Sequence, residues 1–521
     1  MSGCKNINIA GIDLGTTFSA MAILNTIGKP EIVPNADSER LTPSAVFFDE
    51  DNGGIVRIGI EAINSRHLNA ERSVRWIKRY IGDSNYHKTI DGKKWSAVEL
   101  SSLILKKLKQ DFSAVRGDID SVVISVPAHF DEIRRKATMD AGKMAGLNVI
   151  GIVNEPVAAA LYYATTRRVC GNILVYDLGG GTFDITIMNT NGNNMDIICS
   201  QGEHELGGID FDQKVLEILQ QNYRDKYNCE LIITDEDRAN YEDEAEDIKK
   251  TLSRRPVARK MLYGPAGSIK IEITQQMFED SIAELLSRTD LLLDAALVEA
   301  NMTACDIDRI ILVGGSTRIP VVQKRLEERF SFAPEITINV DECVALGAAL
   351  HAGLTFQREK SNSLPAGIAN GLRDIKLTDV CNHSFGTICA PFDSKIGSRV
   401  IRNQIILKKN TPLPCEVSQT FYTMNKEQKK LEVTVTQGED TAVEYVNIIA
   451  THTIDLPPGR SAKRPIKVTY SYDVSQRMHC KFEDVESGKV HELDLAVDKD
   501  GKLLETEEKE DNNQLEALKI E

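Results

Sequence analysis

The sequence YDLGGGTFD at residues 176–184 is the clearest indication of the fold, because an apolar strand there leads through an aspartate into three glycines and a threonine. A shorter version of the same design, IDLGTT, occupies residues 12–17. Glycines let backbone N–H groups approach an anion, and threonine hydroxyls add hydrogen-bond donors. One aspartate–glycine turn would mean little, since such turns are common hairpin connections. Two copies at strand ends indicate two related lobes whose turns face each other across a polyphosphate.

Three aspartates in and beside these turns are candidates for holding a divalent cation. Asp13 and Asp177 end the two apolar strands, and Asp184 follows the second turn. Mg²⁺ prefers octahedral oxygen ligation and keeps several of its waters. We therefore expect these carboxylates to serve Mg²⁺ mostly through water.

A third glycine turn, LVGGSTRIP at residues 312–320, again follows an apolar strand. Gly314 and Gly315 permit the close approach of a flat ring, and Arg318 could stack on that ring. Taken alone, the segment could be an ordinary connection between a strand and a helix. No GxxxxGK[ST] sequence occurs, which excludes a P-loop as the phosphate site.

Composition restricts the class of protein. A chain of 521 residues is too long for one core and predicts two or three domains. Its net charge of -15 opposes binding to nucleic acids and anionic membranes, so we expect neither partner. The ten cysteines are scattered without metal-binding spacing, and no window approaches the length of an apolar membrane span. These features predict reduced thiols and a cytoplasmic location.

Two patterns of secondary structure follow one another along the chain. Strand-like and helix-like runs alternate from residue 7 to residue 355, which predicts α/β layers with partly parallel sheets. The predicted strands are Ile9–Leu14, Val122–Val126, Ile173–Leu178 and Ile310–Val313, and the predicted helices are Glu132–Ala145, Asp210–Lys226 and Gln276–Ala300. Alternating strands then fill residues 381–497, as in Leu431–Thr436, Ile466–Tyr472 and His491–Val497.

These patterns predict a nucleotide-binding domain at 1–365, a linker at 366–380, a β-sandwich at 381–500 and an acidic tail at 501–521. Ser, Asn, Gly and Pro are concentrated at residues 361–371, which favours a boundary there. In the tail, Leu515, Leu518 and Ile520 could form a short apolar helix face. A helix of this length is marginal in water, so the tail should be either frayed or docked.

Six segments resemble signature sequences of the Hsp70 chaperone family, and the resemblance extends to about residue 500. They are IDLGTT at 12–17, VPAHF at 126–130, NEPVAAAL at 154–161, YDLGGGTFDIT at 176–186, LGGIDFD at 206–212 and LVGGSTRIP at 312–320. The sequence LTDVC at 377–381 and the QGE turn at 437–439 look most like the specialised bacterial HscC type. The resemblance implies a two-lobed α/β ATPase domain of the actin-like fold, joined to an all-β sandwich that binds peptides.

The resemblance also implies an ATPase site. Lys78 matches a lysine essential for phosphate cleavage, and Glu155 matches a glutamate near Mg²⁺ and the attacking water. Thr182, Asp177 and Asp13 complete the catalytic set. The nucleotide contacts are Gly15, Thr16, Thr17, Phe18, Gly180, Gly181, Thr182, Glu246, Lys249, Ser253, Gly314, Gly315, Ser316 and Arg318. The implied cofactors are ATP or ADP and Mg²⁺, with K⁺ as a further candidate.

Without the family match, two of these assignments have ordinary explanations. Lys78 would be interpreted as a solvated charge on a helix. Glu246, Lys249 and Ser253 share one helical face by their spacing, but such charged faces are usually solvated.

In the β-rich region, the resemblance assigns an apolar peptide groove. Phe421, Leu431 and Val433 match its floor, and Ala390 and Met424 match the positions that arch over a bound peptide. Such a groove holds an extended segment by backbone hydrogen bonds and prefers aliphatic side chains. The alternative is that the three floor residues belong to an ordinary core.

The sequence departs from the family pattern in three places. The linker IKLTD at 375–379 carries a lysine and a threonine where leucines are usual. Gly151 replaces an arginine used to contact J-domain co-chaperones, which puts that partner in doubt. The family's long helical lid would be reduced here to residues 501–521.

The leading hypothesis is an ATP-dependent chaperone for unfolded polypeptides, served by a J-domain co-chaperone and a nucleotide exchange factor. The alternative is an Hsp70-like adaptor or exchange factor that holds ATP with little hydrolysis. A third possibility is a metabolite kinase of the same superfamily, against which the β-rich domain argues.

Overall fold

The computed structural model describes residues 7–50, 54–167, 169–336, 339–359, 364–473, 476–494 and 518–520. The helices are α1 Ile60–Ser65, α2 Ala97–Arg116, α3 Glu132–Met144, α4 Glu155–Arg167, α5 Gly208–Tyr227, α6 Asp235–Leu252, α7 Gln275–Ser281, α8 Ala283–Glu299, α9 Pro320–Phe330, α10 Cys343–Glu359 and α11 Ala366–Leu372. The chain divides into two compact units. Unit 1 takes residues 1–129, 137–376 and 515–521, and unit 2 takes residues 130–136 and 377–514, so far as these are described.

Both units contain several strands. Those that begin before residue 310 are β1 Ile9–Leu14, β2 Phe18–Leu24, β3 Pro30–Val33, β4 Thr42–Pro43, β5 Ala45–Phe48, β6 Val56–Ile58, β7 Ser73–Arg75, β8 His87–Ile90, β9 Lys93–Ser96, β10 Ser121–Val126, β11 Val149–Asn154, β12 Cys170–Leu178, β13 Phe183–Asn191, β14 Asn194–Glu203, β15 Val257–Gly264, β16 Gly267–Thr274 and β17 Arg309–Val313. Those that follow are β18 Lys376–Thr378, β19 Phe385–Cys389, β20 Phe392–Asp393, β21 Ser398–Arg399, β22 Arg402–Leu407, β23 Cys415–Tyr422, β24 Lys430–Gln437, β25 Asn447–Asp455, β26 Pro465–Tyr472, β27 Met478–Asp484 and β28 Lys489–Asp494.

Unit 1 contains two sheets built on one plan, in the orders β11-β10-β1-β2-β3 and β17-β12-β13-β14. In the first, β1 pairs antiparallel with β2 and parallel with β10. In the second, β12 pairs antiparallel with β13 and parallel with β17. The repeated sequence turns are therefore the two hairpins β1–β2 and β12–β13. This confirms the α/β fold expected from the sequence.

Each sheet has its own apolar core, and these cores define a first lobe and a second lobe. The first lobe draws its core from β1, β2, β5, β6, β10 and α2, and the second from β12, β13, α5, α6 and α8. The strand Ser121–Val126 is buried along its whole length, as is typical of parallel strands covered on both faces. A continuous apolar run in the sequence therefore marks a central strand.

Helices α4 and α10 lie between the lobes and cross with their backbones in contact. Helix α10 packs on β1, β2 and β10 of the first sheet, and α4 packs on β12 and β13 of the second. A Cβ atom added to Gly347 in α10 would lie 1.7 Å from the carbonyl oxygen of Ala158 in α4. Glycine is thus required where the two helices meet.

The long helix predicted at Gln276–Ala300 is two helices, α7 and α8. Ile282 lies between them with φ -99° and ψ 2°, outside the helical region. Its side chain is fully buried in the core of the second lobe. The helix is interrupted at a buried apolar residue. The apolar periodicity therefore continues across the interruption and does not indicate two helices.

The segment predicted to begin the linker is folded onto unit 1. Residues 366–372 form helix α11, in which Ile368 and Leu372 are buried. Farther on, the backbone N–H of Lys376 donates a 2.9 Å hydrogen bond to the carbonyl oxygen of Asn193. Unit 1 therefore continues to residue 376, rather than ending at 365.

Unit 2 is a β-sandwich. Its sheets have the orders β22-β19-β24-β25 and β23-β26-β27-β28, and one apolar core lies between them. The hydroxyl of Tyr470 crosses this core and donates a 2.8 Å hydrogen bond to the carbonyl oxygen of Gly386. The predicted strands at 431–436 and 466–472 are present as β24 and β26. Of the strand predicted at 491–497, only 491–494 lies within the described residues.

Within the described part of the chain, no helix is both long enough and apolar enough to cross a bilayer. None of the nine cysteines in that part forms a disulfide.

Candidate functional site

A cavity of about 670 Å³ lies between the two lobes of unit 1. It is lined by seventeen of the residues predicted from the sequence: Asp13, Gly15, Thr16, Thr17, Phe18, Lys78, Glu155, Asp177, Gly180, Thr182, Glu246, Lys249, Ser253, Gly314, Gly315, Ser316 and Arg318. Gly181 and Asp184 are not part of this lining. Residues separated by as many as 305 positions are thus brought to one site.

The two repeated turns touch each other at the base of the cavity. A Cβ atom on Gly180 would lie 2.2 Å from Oγ1 of Thr17, and one on Gly181 would lie 2.7 Å from Cγ2 of Thr16. Distances this short leave no room for a side chain at either glycine. The glycines therefore set the approach of the lobes, as well as leaving backbone donors free.

Three aspartates lie at or beside the inner end of the cavity, of which Asp177 and Asp184 are buried and Asp13 is half buried. Asp13 accepts a 2.9 Å hydrogen bond from the hydroxyl of Ser125, and Asp184 accepts one of 3.2 Å from the backbone N–H of His129. Asp177 and Asp184 are register partners across β12 and β13. All three predicted carboxylates therefore lie in one region.

Burial changes the acidity of these groups. It raises the pKa of Asp13 to about 7 and that of Asp184 to about 8, and in both cases the charge of Glu155 adds to the effect. The pKa of Asp177 is also raised well above its usual range, first by burial and then by Glu155. Carboxyl groups crowded in this way are stabilised as anions by a nearby cation.

The donor set fits Mg²⁺ held through water. No group of three or more His, Cys, Asp or Glu side chains within the described residues is arranged to enclose a metal directly. Mg²⁺ commonly keeps several waters and takes its remaining ligands from one or two carboxylates and from phosphate. Asp13 and Asp177 border a cavity large enough for both water and phosphate, and Asp184 lies opposite Asp177 in the β12–β13 hairpin.

Lys78 points into the cavity because of the backbone before it. Strand β7 ends at Arg75, and Trp76 then adopts a left-handed conformation with φ 59°. The short 3₁₀ helix Ile77–Tyr80 that follows places Lys78 with 6% of its surface exposed, where its ammonium pairs with the Glu155 carboxylate. The interpretation of Lys78 as a solvated helix charge is therefore wrong.

The end of helix α6 supplies another part of the lining. Lys249 donates hydrogen bonds to the carbonyl oxygen of Gly208, at 3.0 Å, and to Oδ2 of Asp212, at 2.8 Å. Ser253 caps the helix and donates a 3.0 Å hydrogen bond to the Lys249 carbonyl oxygen. Burial acts to raise the pKa of Glu246, but Lys250 beside it leaves the pKa lower than usual. This helix end therefore presents paired charges to the cavity.

The third glycine turn closes the second lobe's side of the site. Gly314 has φ 81°, and a Cβ atom added to it would lie 2.4 Å from the carbonyl oxygen of Leu178. Both the backbone conformation and the lack of space therefore require glycine. Ser316 donates a 2.9 Å hydrogen bond to the Gly179 carbonyl oxygen. Arg318 pairs with Asp341 at 2.5 Å, and its side chain is half exposed. The third glycine turn is thus hydrogen-bonded to the second repeated turn.

Sequence reasoning missed several residues that line or support the site. Asp212 and Gly208 lie in the quoted segment LGGIDFD, so the signal was present but was not assigned to side chains. Arg75, Ser125 and Asp341 belong to no repeated motif. Only the folded chain identifies these three as neighbours of the predicted residues.

Ion pairs bridge the lobes near the mouth of the cavity. Arg66 of the first lobe pairs with Glu242 and, at 2.8 Å, with Asp243, both on helix α6. Arg75 reaches the same helix, at 2.7 Å from Asp243 and 3.2 Å from Glu246. Opposite charges on the two lobes therefore favour a closed cleft.

In unit 2, the predicted peptide-binding residues separate into two groups. Phe421, Leu431 and Val433 belong to the sandwich core, where Val433 is buried and the other two are half buried. Ala390 and Met424 are not part of that core, and Met424 is exposed. Placement in the core matches the ordinary interpretation of the three floor residues, so their contact with a peptide stays a prediction.

An open cavity of about 700 Å³ also lies in unit 2, beside the hairpin β20–β21. Its lining includes Phe392, Ile401 and Val443. None of the five predicted peptide-binding residues lines it.

Comparison with known proteins gives consistent matches over both units. A family model described as Hsp70 protein matches residues 9–520. Chaperone protein DnaK of Thermotoga neapolitana is 35% identical over 491 residues, which cover 92% of this chain and 79% of that protein. The DnaK proteins of Thermotoga petrophila and Thermosipho melanesiensis are 35% and 34% identical, over 96% and 93% of this chain and 82% and 79% of their own lengths.

Proposed function

Because this chain belongs to the Hsp70 family, we propose that it is an ATP-dependent chaperone whose unit 1 hydrolyses ATP and whose unit 2 binds extended apolar polypeptide segments. The observation that carries the proposal is the cavity between two hairpin turns in contact, with Lys78 and Glu155 paired at its wall. Hydrolysis of the terminal phosphoanhydride bond of ATP needs donors for a polyphosphate, a cation beside the transferred group and a positioned water. The lining offers residues for all three.

The site residues divide this work by chemistry. The backbone of Gly15 and Gly180 and the hydroxyls of Thr16, Thr17 and Thr182 would bind phosphate oxygens. The ammonium of Lys78 would stabilise the charge that develops on the transferred phosphate. Glu155, held by that ammonium, would orient the attacking water.

The outer part of the cavity suits the rest of the nucleotide. Glu246, Lys249 and Ser253 on α6 would hold the ribose and its neighbours. Gly314, Gly315 and Ser316 leave space for a flat ring, on which Arg318 would stack.

Asp13, Asp177 and Asp184 would hold Mg²⁺ mostly through its waters, with K⁺ a further candidate at the same charge cluster. When bound, Mg²⁺ supplies positive charge that neutralises the phosphate oxygens and the carboxylates together.

Peptide binding is proposed for unit 2, with Phe421, Leu431 and Val433 as the apolar floor and Ala390 and Met424 above it. The state of the nucleotide would bias peptide affinity through a coupling free energy between the two sites. A J-domain co-chaperone and a nucleotide exchange factor would act on unit 1, although Gly151 changes one co-chaperone contact. The cytoplasmic location expected from the sequence is part of the same proposal.

Single-turnover hydrolysis of ATP, with and without a peptide rich in leucine, tests the proposal. We expect cleavage without the peptide and faster cleavage with it, because bound peptide would favour the state of unit 1 in which ATP is hydrolysed. Nucleotide binding without cleavage would instead support the adaptor hypothesis. Cleavage that peptide leaves unchanged would contradict the proposed coupling.

A further inference from the structure

The described end of the chain, residues 518–520, lies against the small sheet of the first lobe. The backbone N–H of Val56 donates a 3.0 Å hydrogen bond to the carbonyl oxygen of Lys519. Val56 and Ile520 form a parallel β-bridge. Residues 518–520 thus pair with β6 in the manner of a strand, whereas Leu515, the third member of the predicted apolar helix face, lies outside the described residues.

The register of the small sheet shows why this contact is specific. In the antiparallel pair β5–β6, Phe48 lies opposite Val56, and the N–H of Asp49 donates to the carbonyl oxygen of Ile55 at 2.9 Å. This pattern makes Phe48 and Val56 a pair without mutual hydrogen bonds, so the N–H of Val56 points away from β5. Lys519 therefore satisfies a donor that the sheet itself leaves open, at a residue with no exposed surface.

The side chains of the segment alternate in the manner of a strand. Leu518 and Ile520 are half buried and pack against the core of the first lobe, whereas Lys519 between them is exposed. Successive side chains of a strand point to opposite faces. Both the backbone and the apolar side chains thus contact the same edge.

The covered edge is connected to the catalytic lysine through the sheet. Strand β6 pairs with β5, and β5 pairs with β7. Strand β7 ends at Arg75, three residues before Lys78. A change in the order of the β6 edge can therefore affect the position of Lys78 through two strand pairings.

We propose that residues 518–520 are a releasable intrachain strand that covers the edge of β6 and steadies the sheet leading to Lys78. An open sheet edge is a site at which extended segments add. We infer that the chain's own residues 518–520 bind this edge of β6, because both their backbone and their apolar side chains contact it. Release of the segment would expose this edge and loosen the placement of Lys78.

Hydrogen exchange at the Val56 amide, followed by NMR in the nucleotide-free full chain, tests the contact. Ile520→Asp should release the segment, because it places a carboxylate against the apolar core, and the amide should exchange about tenfold faster or more. The matched control is Leu68→Asp, an apolar-to-acid change in the same lobe at a side chain that is 78% exposed. It should leave exchange at Val56 unchanged. Equal protection of Val56 in the wild type and in Ile520→Asp would overturn the proposal.

Single-turnover hydrolysis in the same variants tests the regulatory part, which rests on the proposed ATPase function. We expect Ile520→Asp to be roughly tenfold slower than the wild type, since small displacements of catalytic groups cost that much or more. Faster exchange at Val56 with unchanged hydrolysis would overturn the regulatory part. Because the exchange measurement needs no nucleotide, an inactive wild type would contradict the proposed function without affecting the docking result.

Discussion

Gly180 and Thr17 are in contact across the two lobes, at a distance that admits no side chain on the glycine. A Cβ on Gly180 would meet Oγ1 of Thr17 at 2.2 Å but its Cβ at 3.3 Å. The hydroxyl is therefore the main obstacle. The two lobes can therefore approach each other this closely because residue 180 has no Cβ atom.

Gly180→Ala should weaken ADP binding strongly, because the two turns must separate to admit the methyl group. Removing the hydroxyl relieves most of the clash, so Gly180→Ala should cost much less in a Thr17→Ala background. Titration calorimetry on the four proteins of this double-mutant cycle measures the coupling, for which we expect about 1–3 kcal/mol. Additive effects would show that the contact does not control the site.

Lys78→Ala should slow single-turnover hydrolysis by about 10²-fold or more, because it removes a preorganised charge from the site. Nucleotide binding should persist, since the phosphate-binding turns remain. Lys143→Ala, which changes a half-exposed lysine elsewhere in unit 1, is the control and should hydrolyse ATP at the wild-type rate. Equal rates for Lys78→Ala and the wild type would exclude the role assigned to Lys78.

Arg66→Ala should speed the release of ADP several-fold, because it removes the pairs with Glu242 and Asp243 that join the lobes. Stopped-flow displacement of a fluorescent ADP measures the rate. The matched control is Arg259→Ala, which breaks a 2.7 Å pair with Glu272 inside the second lobe alone. If both variants release ADP at the same rate, the bridging pairs do not hold the cleft closed.

His351 should make unit 1 less stable as the pH falls. Burial in α10 lowers the pKa of His351 to about 4, below its usual value of 6.5. Between these values the unfolded chain binds more protons, so the free energy of unfolding decreases as the pH falls from 6.5 toward 4, by up to about 3 kcal/mol. His351→Gln cannot titrate and should have a flatter profile in urea unfolding at several pH values. Parallel profiles for the two proteins would contradict this.

Met424→Glu should weaken the binding of a leucine-rich peptide to unit 2, because it places a charge at the predicted groove. The side chain is 46% exposed, so the fold should not change. Val485→Glu introduces the same charge at a side chain of unit 2 that is 49% exposed and not predicted to touch peptide. Fluorescence anisotropy compares the two. Equal affinities would remove Met424 from the site.

The residues that could be identified from the sequence are those in repeated or strongly patterned segments. Glycine turns after apolar strands indicated both hairpins and, with the family resemblance, most of the cavity lining. The separation of the chain into an α/β unit and a β-sandwich followed from the change in periodicity near residue 380. Local pattern was sufficient in these cases because backbone geometry itself required the residues.

Features that depend on distant contacts could not be predicted in this way. Arg66 and Asp243 are 177 positions apart, and neither belongs to a motif. The break at Ile282 falls at a side chain buried in the core, so the apolar periodicity continues across it. Helix α11 was assigned to a linker because its composition is typical of loops, although burial of Ile368 and Leu372 holds it on unit 1.

The crossing of α4 and α10 restricts how the cleft can open. Because the backbone of Gly347 rests on that of Ala158 without an intervening side chain, sliding of one helix along the other would bring larger side chains into this close contact. Rotation about the crossing point avoids that clash. Glu155 is the first residue of α4, so it lies near this pivot, whereas Lys78 lies on the part of the first lobe that would swing. Opening the cleft by this rotation would therefore separate Lys78 from Glu155 while the helix crossing stays intact.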